Sequence, residues 1–189
     1  MGLGAWIGVA LLALVALYAI IAYNRLVRLR ALVREGFSGI TVQLRRRADL
    51  VPNLVSTVEG YATHEREVLT DVTAHRTDPM KAQGVAGTAQ ADAAFSGMLG
   101  RLMAVAEAYP DLKADDNFRQ LQTELAEIEE ELQGARRYYN ATVRDLNSSI
   151  QTFPNVLFAR PMGFTEEPFY ADADPAIQTA PRVSFGGAR

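Results

Sequence analysis

The sequence predicts an all-α protein: an N-terminal transmembrane helix, then an antiparallel four-helix bundle with a long last helix and an extended C-terminal tail. Three observations predict it. Residues 1–24 contain no charged side chain. Apolar residues then recur every three or four positions almost to residue 150, which is the helical period. Five of the eight prolines fall after residue 153, where no regular helix can continue. The chain divides accordingly into an anchor at 1–24, a bundle at 25–153 and a tail rich in proline and aromatic residues at 154–189.

The anchor comes first. Its apolar run, residues 3–22, forms a helix about 30 Å long, the thickness of the hydrocarbon core. Trp6 stands near one end and Tyr18 and Tyr23 near the other, where amphipathic rings favour the interface. A cleavable signal peptide would need a basic residue before the run and a small-x-small site after it; no Lys or Arg precedes Arg25 and no clean site follows. An uncleaved anchor is therefore expected. Arg25, Arg28, Arg30 and Arg34 follow the span, opposed only by Glu35. The positive-inside rule then predicts a single-pass cell-membrane protein with its N-terminus outside and its bundle in the cytoplasm. The lipid bilayer is the first expected partner. The arginines either only fix topology or also attract anionic headgroups, by about 1 kcal/mol each. Gly4-x-x-x-Gly8 matches the small-residue packing motif of membrane helices, a weak signal in a span where glycine is common.

Leu26, Leu29, Val33, Phe37, Ile40 and Leu44 carry the helical rhythm onward, and Val51, Leu54, Val55, Val58, Tyr61, Ala62, Leu69 and Val72 continue it. Pro52 interrupts, either as a kink or as a tight corner capped by Asp49. With a corner, four helices of roughly 23, 25, 22 and 40 residues result, about 35, 38, 33 and 60 Å long. The first three match as an antiparallel bundle requires, so the corner is the preferred reading. Residues 77–87 read as a loop. The third helix carries Ala91, Ala94, Phe95, Met98, Leu102, Val105 and Tyr109 and ends at Pro110. The fourth steps through Phe118, Leu121, Leu125, Ile128, Leu132, Ala135, Tyr139, Thr142 and Leu146, with Asn117 and Gln120 resembling a capping box. Its second half is smaller and more polar, and it outruns the other helices. That half is expected to be a contact surface rather than permanent core. Phe153-Pro154 closes it.

The tail holds Phe158, Phe164, Phe169, Tyr170 and Phe185, too many rings for a purely solvating segment. Phe158, Phe164, Phe169 and Tyr170 are its candidate docking residues. They either pack as a strap on the chain's own bundle or dock another subunit, and the sequence favours neither.

Chemistry is sparse. There is no cysteine, which excludes disulfides, thiolate metal sites and a cysteine nucleophile. Residues 1–50 hold seven Arg against two acids, whereas residues 51–189 have a net charge of -8, so most of the folded part would repel phosphate and no nucleic-acid partner is expected. His64, Glu67, Asp71 and His75 fall on one helical stripe, but two His eleven residues apart lack metal-helix pairing, and a solvated face explains them. No phosphate loop or nucleophile elbow is present. The expectation is a non-enzyme without cofactor. Glu124, Glu127, Glu129, Glu130 and Glu131 form an acidic cluster, followed by Arg136 and Arg137. Arg45, Arg46 and Arg47 form a basic one. Complementary patches of this kind either steer subunits together or are ordinary solvated faces. With Tyr138, Tyr139 and Asn140 on the overshooting helix, the candidate interaction surface is Arg45, Arg46, Arg47, Glu127, Glu130, Glu131, Arg136, Arg137, Tyr138, Tyr139 and Asn140.

Several blocks resemble the LemA family. They are Tyr23-Asn24-Arg25-Leu26-Val27, residues 42–55 from Val42-Gln43-Leu44 to Pro52-Asn53-Leu54-Val55, and Gly60-Tyr61-Ala62 with His64-Glu65. Ala104-Val105-Ala106-Glu107-Ala108-Tyr109-Pro110-Asp111-Leu112-Lys113-Ala114 and Asn117-Phe118 are similar too, as are Tyr138-Tyr139-Asn140, Asn147, Phe153-Pro154 and Gly163-Phe164. The resemblance implies one N-terminal anchor, a cytoplasmic antiparallel bundle and no transferable enzyme activity. It associates relatives with membrane organisation, magnetosome membranes included, and with neighbouring membrane peptidases. Two functions follow as expectations: a self-associating scaffold that organises membrane or partner proteins, or an accessory subunit of a membrane enzyme such as a peptidase. Homo-oligomers belong to the first, and a membrane-protein partner to the second.

Overall fold

The computed structural model describes residues 2–62 and 64–170. Among these residues the regular structure is entirely helical: α1 (Leu3–Glu59), α2 (Arg66–His75), α3 (Asp78–Lys81), α4 (Gly84–Glu107), α5 (Pro110–Ala114), α6 (Asp116–Gln151) and α7 (Asn155–Phe158). An extended strap, residues 164–170, follows.

α1 is one helix of 57 residues, and this corrects the expected corner. Pro52 lies inside it with its ring exposed, while Val51, Leu54 and Val58 beside it are fully buried. Losing one backbone bond at an exposed proline costs about 3 kcal/mol. Burying each of those side chains returns about 1.5–3 kcal/mol. A kinked first helix does have a partner of equal length. The part of α1 inside the fold, from Ala22 to Glu59, is about 57 Å long, and the 36 residues of α6 make about 54 Å. The two long helices are each other's partners. Their antiparallel register is marked by Gly36 against Tyr139, Gly39 against Ala135, and Arg46 paired with Glu131.

α1 ends instead at Glu59, and α2, beginning at Arg66, folds back onto it. Residues 77–87 are not one loop, since α3 occupies part of them and α4 begins at Gly84, whose φ of 69° suits a residue without Cβ. The cap of α6 is Asp115, accepting from the Phe118 backbone N–H at 2.9 Å, rather than the expected Asn117–Gln120 box. That bond, ahead of all other causes, holds the Asp115 carboxyl below its ordinary range.

The core has two halves. The distal half joins Leu50, Val51, Leu54 and Val58 of α1 to Leu69 and Val72 of α2, Phe95, Leu99, Leu102 and Ala106 of α4, and Phe118, Leu125 and Ile128 of α6. The proximal half is built by α1 and α6 with the strap: Leu26, Val33, Ile40 and Leu44 meet Leu132, Tyr139, Val143, Leu146 and Ile150, closed over by Phe164 and Tyr170. Beyond both, the large aliphatic side chains of α1 between Ile7 and Ile21 stand exposed, uncovered by the rest of the chain. This end of α1 is long and apolar enough to cross a membrane.

Candidate functional site

Asp92 is the only charged residue between positions 82 and 100, and the fold buries it completely. An isolated carboxylate there would be prohibitively costly, so its partners define the site. Arg47 of α1, itself 1% exposed, pairs with one carboxylate oxygen, and Arg136 of α6 pairs with the other. The Tyr170 hydroxyl donates to Asp92 at 2.5 Å. Arg47 also donates to Glu129 at 2.8 Å and to Ser96 at 3.1 Å. Its guanidinium lies 5.2 Å from the Phe95 ring centre, and that of Arg136 lies 5.4 Å from the Tyr170 ring. Two cations and two carboxylates thus meet where α1, α4, α6 and the strap converge. Burial, then the Asp92 charge, pushes the Tyr170 phenol well above its ordinary range, so the ring stays neutral and donates.

The strap is held along α6 by a ladder of side chains. Asn147 donates to the Glu167 carbonyl at 2.9 Å and accepts from the Glu167 N–H at 2.9 Å. Asn140 does the same with Tyr170, at 3.1 and 2.8 Å. Each amide imitates the edge of a strand. The spacing explains why: seven residues of helix rise about 10 Å, and three residues of extended chain cover about the same. Between them the Tyr139 hydroxyl donates to the Pro168 carbonyl at 2.8 Å. Burial, then Glu167, pushes the Tyr139 pKa up to about 12.

At the proximal end the chain after α6 returns to α1. Tyr18 donates to the Asn155 side chain at 2.7 Å, and its ring lies 6.3 Å from that of Phe158. Tyr23 meets Phe164 edge-on at 5.6 Å, and Arg30 sits 4.7 Å over the Phe164 ring.

This arrangement of long helices, clasp and strap can be set beside known proteins. The sequence profile of the LemA family matches residues 36–185. The chain belongs to the LemA family. It is 27% identical to magnetosome protein MamQ 1 of Paramagnetospirillum magneticum over 87% of this chain and 71% of that protein. Similarity to MamQ of Magnetospirillum gryphiswaldense is 25% identity over the same shares. Protein LemA of Metamycoplasma hominis is 30% identical over 69% of this chain and 60% of its own length. With the exposed apolar end of α1, family membership makes this a membrane-associated protein of the LemA type.

In this LemA-family chain the residues expected to form an interaction surface divide. Arg47, Arg136, Tyr139 and Asn140 point inward: Arg47 and Tyr139 are each 1% exposed, and Asn140 is occupied by the strap. The second half of α6 is therefore core, a correction of the expected contact surface. The basic and acidic patches meet within the chain, through Arg46–Glu131 and Arg47–Glu129. Arg45, Glu127, Glu130, Arg137 and Tyr138 remain exposed. Of the tail residues, Phe164 and Tyr170 are buried on the chain's own bundle, Phe158 is half-buried against Tyr18, and Phe169 is exposed. Phe185 lies outside the described residues. His64 precedes α2, so it does not share a helical stripe with His75; the His75 ring is bonded to Asp78 at 2.6 Å.

Asp92 and Ser96 belong to no motif of the sequence, and Glu129 is expected there only as part of the acidic cluster. The one signal that marks Asp92 in the sequence is its isolation, a single carboxylate amid Ala91, Ala93, Ala94 and Phe95.

Proposed function

We propose that this LemA-type protein is a non-enzymatic, self-associating scaffold that holds a rigid helical body at a fixed height above the cytoplasmic face of the cell membrane. One observation carries the reading: α1 is both the exposed apolar segment and the longest core element of the fold, with no linker between the two. A body joined to its anchor through one unbroken helix keeps its orientation to the bilayer. The arginine excess after the apolar run supports the cytoplasmic placement. The exposed Arg45, Glu127, Glu130, Arg137 and Tyr138 offer polar and aromatic groups of the kind found at interfaces. The magnetosome proteins named among the relatives suit a role in membrane organisation.

The natural chain lacks cysteine, so a single Tyr138→Cys supplies a unique crosslinking handle. In intact membranes a bifunctional thiol reagent should give a dimer of this variant. Monomer at every crosslinker length, with a second protein copurifying in fixed ratio, would replace the scaffold by an accessory subunit. A reporter enzyme active only outside the cytoplasm, fused after Arg189, should stay silent; strong activity would reverse the orientation.

A further inference from the structure

The turn after α6 and the short helix α7 present Phe153, Val156 and Leu157, which are 75%, 44% and 60% exposed. Arg160, in the turn that follows α7, is also exposed. Large apolar side chains grouped this way on one corner of a soluble body call for a covering surface. The fold places this corner at a specific level. Asn155 is hydrogen-bonded to the Tyr18 hydroxyl, and Phe158 packs on the Tyr18 ring. Tyr18 lies inside the apolar run, and Arg25, the first charged residue, follows about 10 Å further along the axis. Exposed Ile20 and Ile21 continue the apolar surface of α1 at the same level.

We infer that the α6–α7 turn and α7 together form a second membrane contact, with Phe153, Val156 and Leu157 seated in the interfacial layer of the leaflet from which the bundle emerges. The occupant is the lipid bilayer itself, because the patch is continuous with the segment of α1 that the bilayer covers. The depth fits, since interfacial apolar faces sit about 5–10 Å into the boundary between headgroups and acyl chains. Arg160 then has a place among the headgroups, with its stem along the apolar surface. The protein grips the membrane at two points, one spanning and one wedged into a single leaflet. A wedge in one leaflet also couples the body to the packing of that leaflet. The inference rests on α1 spanning the bilayer.

The test uses the full chain in vesicles of phosphatidylethanolamine and phosphatidylglycerol. Spin labels are attached through Leu157→Cys, Leu14→Cys or Arg101→Cys, one per protein. Collision with oxygen, which partitions into lipid, is compared with collision with a water-soluble nickel chelate. The Leu14 label should read deep, the Arg101 label aqueous, and the Leu157 label within about 10 Å of the headgroup boundary. A Leu157 label as aqueous as that at Arg101, beside a deep Leu14 label, would overturn the wedge and leave the anchor standing. An aqueous Leu14 label would overturn both.

Discussion

Asp92 holds the α4 side of the fold to α1, to α6 and to the strap, and its removal is the most informative single change. Asp92→Ala would leave the 1% exposed Arg47 without its buried counter-charge. Breaking such a pair from one side costs about 3–5 kcal/mol, and thermal melts should show that loss. Tyr139 offers a second check. Tyr139→Ala should cost about 3–5 kcal/mol, at least as much as Leu125→Ala at about 2–5, because both are core. Its titration gives a pH dependence. The unfolded phenol has its ordinary pKa of 10.0, and the folded one is raised to about 12, so the folded state holds the proton more tightly. That contribution is complete below about pH 10 and is lost as pH rises through about 12. Tyr170, shifted in the same direction, adds to it. Stability should therefore fall in alkali, and Tyr139→Phe should flatten part of the fall in melts taken across that range.

Between the elements, the α1–α6 contact depends on close approach. A Cβ on Gly36 would lie 3.1 Å from the Tyr139 backbone. Gly36→Leu should force the helices apart and cost about 1–3 kcal/mol in denaturant unfolding, despite the gain in helix propensity. The strap depends on Asn140 and Asn147, and Asn147→Ala should release residues around 167, which faster amide exchange of Glu167 would show. Much of this level was legible in the sequence. The apolar steps of α6 predicted its existence and the buried face of its first half, and the uncharged run predicted the exposed end of α1. The two largest errors share a cause. Both treated a local feature without its long-range partner: Pro52 seemed to demand a corner until α6 supplied an equal neighbour, and the polar second half of α6 looked like free surface until the strap covered it. Tyr139, Asn140 and Arg47 carry polar atoms, and polarity alone does not tell a solvated group from one satisfied inside a fold. The strap's choice between its own bundle and a neighbour was equally hidden, because the spacing that matches Asn140 and Asn147 to residues 170 and 167 exists only when helix and extended chain lie side by side.

At the scale of the whole molecule, anchor and body are one mechanical unit. The clasp around Asp92 ties α4 to α1, α6 and the strap, and the return of the chain to Tyr18 fixes the body against the apolar end of α1. The proposed scaffold role requires self-association, which is therefore its central claim. Native mass measurement of the detergent-solubilised full-length chain tests it most directly. The scaffold reading predicts defined species at whole multiples of 20.7 kDa, persisting on dilution and reduced in Tyr138→Ala. A single species at 20.7 kDa at every concentration, unchanged by that substitution, would contradict it.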